Sequence, residues 1–285
     1  MEHTIRSILV IANTAKPGAR ELGLAIESFC REQGIQARLF LYDGIAHTVP
    51  LENHFELAVT LGGDGTVLFA SRVLAEHNVP ILPVNLGEFG FISEVGHDEW
   101  RHALTAFLAG RIGIGNRLVL DVHVRRDGND LCSLRGLNEA VISAGGISRM
   151  VRLTVRLSDQ YLGTYRADGV MVATPTGSTA YSAAAGGPIL HPEMDAMILN
   201  PICPFTLSHR PIVLPADEVV EIRVDHEQRT DVALTVDGQS MIPLEPGDAV
   251  IVRAGSEKAR IVRSDRRTFY EVLRTKLNWA GGPDD

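Results

Sequence analysis

The hydrophobic period of this chain changes near Leu118, and no single sheet architecture satisfies the stretches on either side. Upstream, Ile8 to Ala12 is a short continuous apolar run, the pattern of a parallel strand covered on both faces. The next stretch, NTAKPGARELGLAIESFCREQG, reads as a loop and a helix, with Leu22, Ile26 and Phe29 at helical spacing and Gly34 just past the end. ARLFLY, ELAVTLGG and VPILPVNLG supply further strands, and TVLFASRVLAEHN and HDEWRHALTAFLAG further helices. This alternation predicts an α/β domain over residues 1–117 with a mostly parallel sheet.

Downstream the period is two. LVLDVHVRRDGND sets Leu118, Leu120, Val122 and Val124 against Asp121, His123 and Arg125 and then meets an Asp-Gly turn. VRLTVRLSD, VVEIRVDHE, VALTVDGQS and DAVIVRAG repeat the habit, which predicts an all-β, antiparallel, sandwich-like domain over 118–264. Residues 265–285 return to helical spacing through Phe269, Val272, Leu273 and Leu277, a C-terminal helix and tail expected to pack back on the α/β domain.

Charge narrows the partners. The net charge of -8 and a lysine set limited to Lys16, Lys258 and Lys276 argue against a phosphate-tracking surface for nucleic acid. Phosphate contacts would have to come from arginine, backbone N–H groups or a metal. Cys30, Cys132 and Cys203 are widely spaced and form no Cys-x-x-Cys pair, so they read as ordinary buried thiols in a reducing compartment. The apolar stretch ILVIAN is too short for a signal peptide core and no segment has the length of a membrane span, so a cytoplasmic protein without membrane contact is expected.

LGGDGTVLFA, residues 61–70, places an acid between glycines where a strand gives way to a helix. This is the carboxyl edge of a parallel sheet, where open α/β sheets bind ligands. Glycines there let phosphates approach bare N–H groups near a helix N-terminus. An aspartate beside a phosphate is repulsive unless it binds a metal or receives a proton, and both tasks belong to phosphoryl transfer. The bland alternative makes Asp64 a helix N-cap, with Thr66 opening the helix. The stretch is neither a Walker A loop nor a Gly-x-Gly-x-x-Gly fingerprint.

Two further segments carry polar chemistry. GLNEAVIS sets Asn138 and Glu139 in an apolar stretch, an amide and a carboxylate able to bond a sugar diol, where a plain turn explains Asn138 better than Glu139. YRADGVMVATPTGSTAYSAAAGGPIL offers the hydroxyls of Thr174, Thr176, Ser178, Thr179 and Ser182, glycines at 177, 186 and 187, and the ring of Tyr181. Small hydroxyl residues around one aromatic suit a nucleoside, and a Ser/Thr-rich loop is the competing explanation. His97 and His102 near Asp98 and Glu99 lack metal spacing and read as a solvated helix start, and Arg266 and Arg267 as surface residues before the last helix.

The Gly-Gly-Asp-Gly-Thr loop resembles that of NAD kinases, diacylglycerol-type lipid kinases and phosphofructokinases. Over nearly the full chain, GGDGT, NLGEFGF (85–91), NEA (138–140), ADGVMVATPTGSTAYS (167–182), LSHRPIVLP (207–215), VDGQ (236–239) and FYEVLRTKLNW together resemble bacterial NAD kinases. That resemblance implies an ATP-dependent kinase that phosphorylates the 2′-hydroxyl of the adenosine ribose of NAD, with Mg²⁺ as the divalent ion. It further implies NAD bound between an α/β and a β-rich domain, in a homodimer or homotetramer.

Carried over, Asp64 is the proton acceptor and Gly65 lies beside the dinucleotide, while Asn138 and Glu139 hold the adenosine ribose. Thr179, Ala180 and Tyr181 line the adenine and nicotinamide pockets, Asp168 faces the nicotinamide amide, and Arg166 approaches the site, in some members from a neighbouring subunit. Arg149, Gln239, Ser182 and Ala184 match further contact positions. At AYSAA, Ala183 and Ala184 depart from the leucine and serine many members carry, a departure that bears on one hydrogen bond to the ligand and not on the shape of the pocket. A lipid kinase would share Asp64 but leave NEA and GSTAYS unexplained, and a dinucleotide sensor would keep the pocket without the chemistry.

Overall fold

The computed structural model describes residues 5–44, 54–146, 150–206 and 208–279, so Arg149 and Leu207 lie outside the described residues. The chain divides into two compact units, Met1–Asn116 with Ala259–Asp285, and Arg117–Lys258.

The first unit runs β1 (Ser7–Asn13), α1 (Ala19–Glu32), β2 (Gln36–Tyr42), β3 (Leu57–Gly62), α2 (Asp64–Leu74), β4 (Ile81–Asn85), β5 (Val95–Gly96), α3 (Trp100–Leu108) and β6 (Ile114–Arg117). β1 pairs in parallel with β2 and β3, β3 with β4, and β4 with β5. The continuous apolar runs of β1, β3 and β4 are buried throughout, whereas β2, at the sheet edge, is mostly half-exposed. α1 buries Ala19, Gly23, Ile26 and Cys30, and Phe29 meets Trp100 of α3 edge-on at 5.5 Å between ring centroids.

The second unit contains β7 (Leu120–Arg126), β8 (Asn129–Gly136), β9 (Glu139–Ala144), β10 (Val151–Leu157), β11 (Gln160–Ala167), β12 (Gly169–Ala173), α4 (Tyr181–Ala184), β13 (Ala196–Ile202), β14 (Ile212–Pro215), β15 (Val220–Val224), β16 (Val232–Val236), β17 (Ser240–Leu244) and β18 (Ala249–Ala254). These strands make two antiparallel sheets, ordered β11-β10-β15-β18-β7-β8 and β14-β13-β12-β9-β16-β17. Their alternate residues share one core, Val122, Leu153, Ile222 and Val252 from the first sheet with Ile142, Val172, Leu199 and Leu234 from the second. Each such side chain contributes roughly 2 kcal/mol by leaving water. β12 and β13 are buried on both faces, because Met171 and Ile202 pack outward with Val141 against Ala185, just past α4.

Three hairpins turn on pairs of residues with positive φ: Asp127–Gly128, Ser158–Asp159 and Asp237–Gly238. Asp-Gly supplies this geometry at low cost and matches strand twist.

The chain then returns to the first unit. β19 (Ala259–Val262), read from sequence as the end of the β-rich segment, instead pairs in parallel with β4 and lies between β4 and β6 in the sheet order β2-β1-β3-β4-β19-β6. Three of its four residues are buried, which is the reason it belongs inside a sheet and not at the end of a sandwich. α5 (Phe269–Leu277) follows, opened by a capping box between Thr268 and Glu271, and buries Val272 and Leu273 in the same unit.

The cysteines differ from expectation. Only Cys30 is buried, with its thiol pushed up to about 11 by desolvation and then Glu27, whereas Cys132 is half-buried and Cys203 is exposed. Among the described residues, no helix is long and apolar enough to cross a membrane.

Candidate functional site

In the first unit, three parallel strands deliver polar groups to one edge. β1 ends at Asn13, β3 at Gly62 and β4 at Asn85. Asn13 Nδ2 donates to Thr66 Oγ1 at 3.2 Å, and a Cβ on Gly62 would fall 2.1 Å from that same oxygen. Gly62 is therefore glycine for packing. Gly63 differs: it is the N-cap of α2 in extended conformation, φ -118°, ψ -167°, and a Cβ there would meet nothing within 4 Å. Its backbone and surroundings would accept any small residue.

Asp64 is the first residue of α2, one position past the cap, so the N-cap alternative does not describe it and the helix opens before Thr66. Its carboxylate accepts from the backbone of the loop after β4. Phe91 N donates to Oδ2 at 2.9 Å, and Oδ1 takes Ile92 N at 3.3 Å, Ser93 N at 2.9 Å and Ser93 Oγ at 2.6 Å. The loop is shaped by Asn85, whose Nδ2 donates to Glu88 O and Ser93 Oγ while its Oδ1 accepts from Gly87 N. Asp64 is thus a half-buried anion of fixed orientation, beside exposed Gly65 at a helix N-terminus. Lys16 lies on the loop after Asn13, so the Asn13–Thr66 bond ties the base of that loop to the glycine turn despite the distance in sequence.

In the second unit, the turn at residues 137–139 is anchored by a residue that sequence reasoning did not single out. Asp237, at the first turn position of the β16–β17 hairpin, accepts Leu137 N on Oδ2 at 2.8 Å and Asn138 N and Glu139 N on Oδ1 at 2.8 and 3.1 Å. Its only sequence signal was the VDGQ turn. The Thr174–Gly177 turn packs on the same segment: Thr174 N donates to Asn138 O at 2.8 Å, Thr174 Oγ1 donates to Leu137 O, and a Cβ on Gly177 would sit 2.1 Å from Asn138 O.

Several buried acceptors in this unit remain unpaired. Among the described residues, Asn138 Oδ1, Glu139 Oε2, Thr176 Oγ1 and Asn200 Oδ1 are buried without a hydrogen-bond partner. Buried polar atoms normally find partners, so such a set is a candidate for groups that donate, hydroxyls above all. Burial, with Asp237 adding repulsion, pushes the Glu139 carboxyl up to about 7.

Several expected contact hydroxyls are spent internally. Ser178 Oγ bonds Pro175 O and Leu190, and Thr179 Oγ1 donates to Thr176 O at 3.2 Å. Ser182 is fully buried, bonded by Asn200 Nδ2 and covered by Gly187, so its hydroxyl is a support beneath α4 and not an exposed contact. Tyr181 and Ala184 remain exposed, and Ala180 is half-buried. Arg166 and Asp168 are exposed at the end of β11, with the Arg166 guanidinium 5.4 Å from the Phe205 ring. Gln239 follows Asp237 in the hairpin turn, its N–H donated to Val236 O.

Residues 12–112 match the ATP-NAD kinase N-terminal domain and residues 137–264 the ATP-NAD kinase C-terminal domain. The chain belongs to the ATP-NAD kinase family. An NAD kinase of Treponema denticola is 39% identical over 277 residues, covering 97% of this chain and 98% of that one. An NAD kinase of Geobacter sulfurreducens is 44% identical over 224 residues, 79% of this chain and 78% of that one. Among solved structures, yeast NADH kinase complexed with NADH superposes with a TM-score of 0.86 at 25% identity, covering 99% of this chain and 89% of that one. An NAD kinase from Archaeoglobus fulgidus in complex with ATP shares the fold, with a TM-score of 0.75 at 22% identity, covering 97% of this chain and all of that one.

One arginine in this ATP-NAD kinase fold departs from its reading as a surface residue. Arg267 is held in a fork by Glu99, Nη1 to Oε2 at 2.5 Å and Nη2 to Oε1 at 3.0 Å, and stacks 4.0 Å from the Phe89 ring. That fork, with Gly96 N and Arg266 adding hydrogen bonds, holds the Glu99 carboxyl down at about 2. His102 pairs with Asp265 at 2.7 Å, an exposed contact of little energetic weight. Among the described residues, no group of three or more His, Cys, Asp or Glu side chains could hold a metal ion.

Proposed function

We propose that this protein transfers the terminal phosphoryl group of ATP to the 2′-hydroxyl of the adenosine ribose of NAD, giving NADP and ADP, with Asp64 orienting that hydroxyl and accepting its proton. The observation that carries the proposal is the held carboxylate of Asp64, fixed by four hydrogen bonds at the N-terminus of α2 beside a glycine the fold does not require. Relatives named NAD kinase and a structural neighbour bound to NADH support the substrate class.

Oδ2 accepts only one of the four bonds and keeps a lone pair for a substrate hydroxyl. An alcohol gives up its proton readily only as its bond to phosphorus forms. Asp64 therefore acts first by orientation and late in the step as proton acceptor. Asn138 and Glu139 bond the ribose hydroxyls through their buried acceptors, and Tyr181 offers its exposed ring to a base. Thr179 and Ala180, and further out Arg166, Asp168 and Gln239, complete the proposed dinucleotide contacts. Magnesium enters as Mg-ATP, the donor substrate.

The test is NADP formation by purified protein with Mg-ATP and NAD, repeated with Asp64→Asn. Product that requires all three components, and turnover that collapses in the variant while NAD still binds, is the expected result. NAD binding without product in the native protein would support a dinucleotide sensor. Near-normal turnover in Asp64→Asn would remove Asp64 as the acceptor.

A further inference from the structure

The Asp64 carboxylate is held by a loop, and the loop is itself gripped from far along the chain. Phe91, Ile92 and Ser93 supply the three backbone N–H groups that bond Asp64. Phe89, two residues before this trio, and Glu94, directly after it, are both held by Arg267. Its guanidinium stacks on the Phe89 ring at 4.0 Å, and Nη1 donates to Glu94 O at 3.0 Å. Glu99 fixes the guanidinium through two hydrogen bonds and also accepts Gly96 N at 2.9 Å, closing the far end of the same segment.

We propose that Arg267 is a positioning residue for the phosphoryl-transfer step, clamping both flanks of the 91–93 N–H trio so that Asp64 keeps its orientation. The inference rests on the assignment of Asp64 above. A planar fork that can stack on a ring and bond two acceptors at once is particular to arginine, and a lysine ammonium offers only a point charge. The clamp arises from the segment between β19 and α5, and the return of the chain to the first unit is what brings it there. Without it, the loop loses the stacking on Phe89 and the hydrogen bond to Glu94 O, and any shift of the N–H groups carries the carboxylate with it. Small displacements of an orienting group cost rate more than binding.

Kinetics and amide exchange on the full-length enzyme test this. Arg267→Ala is expected to lower kcat about tenfold or more with KM for NAD and ATP changed less than about twofold, and Arg267→Lys to recover only part of the loss. Phe89→Leu, which leaves the Glu99 fork intact, should lose kcat likewise, while Phe89→Tyr, which keeps a ring, should retain it. Amide exchange over residues 87–96 should speed up in Arg267→Ala while the core strand β3 stays protected. In an Asp64→Asn background, Arg267→Ala should cost little more.

Unchanged kcat in both Arg267→Ala and Phe89→Leu overturns the proposal. So does an equal proportional loss with and without Asp64. If Asp64→Asn alone turns over normally, the acceptor assignment fails; faster exchange at 87–96 in Arg267→Ala then still sustains the clamp, and unchanged exchange removes it.

Discussion

Gly90 faces the Asp64 carboxylate so closely that a Cβ on Gly90 would lie 1.9 Å from Oδ1 and 2.3 Å from Cγ. The second glycine of NLGEFGF is thus a condition for the carboxylate's position. In Gly90→Ala either the side chain of Asp64 or the 91–93 N–H run must move. The expected outcome is a fall in kcat of about a hundredfold with a smaller effect on the melting temperature, since Gly90 itself is half-buried and belongs to neither core cluster. Steady-state kinetics beside a thermal melt check it; retained turnover would mean that carboxylate placement does not limit the reaction.

Gly63 makes the opposite prediction. Its φ is ordinary and a methyl there would touch nothing, so Gly63→Ala should melt as the native protein does. If glycine is there so that phosphate oxygens can reach bare N–H groups, the variant should raise KM for ATP or lower kcat by about tenfold. Native kinetics would show that phosphate does not approach this N–H.

Period alone makes most elements legible, because β1, β3 and β4 need apolar side chains on both faces while the sandwich strands other than β12 and β13 need them mainly on one. β19 was misplaced because four residues among charges carry too little pattern to reveal which sheet they join. The glycine-flanked acid and the Asn138–Glu139 pair stood out as polar residues in apolar runs. Their supports did not. Asp237 and Arg267 act on residues about a hundred or more positions away, 100 for Leu137 and 173 for Glu94, and the local sequence of each reads as a turn or a surface. Composition is silent on a related point: the Ser178 and Ser182 hydroxyls bond backbone and core groups that only the folded turn creates.

Asp237 offers a direct test of such a support. Asp237→Asn keeps the size and tolerates the positive φ, but turns one acceptor into a donor against the three N–H groups of Leu137, Asn138 and Glu139. The mismatch should cost roughly 1–3 kcal/mol, read as a lower melting temperature. NAD affinity, measured by calorimetry, should fall as well because the turn carrying Asn138 and Glu139 loses its anchor. Weaker melting with undiminished NAD affinity would separate this turn from dinucleotide binding.

Glu139 gives the pH test. Its carboxyl is raised from 4.5 to about 7, so the buried site favours the protonated form. The sign follows from proton counting: the native state binds more protons than the unfolded chain across this interval, and stability falls as pH rises from about 4.5 through about 7. A neutral amide in Glu139→Gln carries no such penalty. Native protein should therefore lose stability relative to Glu139→Gln over that window, by an amount on the order of a few kcal/mol, visible as melting curves that diverge between pH 5 and pH 8. NAD should act in the other direction. Ribose hydroxyls donating to Oε2 favour the ionised carboxylate, so NAD binding should release a proton near neutral pH and tighten as pH rises through about 7 in the native protein. The Glu139→Gln variant should show a flat profile. Calorimetry in two buffers of different ionisation enthalpy measures the proton directly, and equal proton release by native and variant protein would place the titrating group elsewhere.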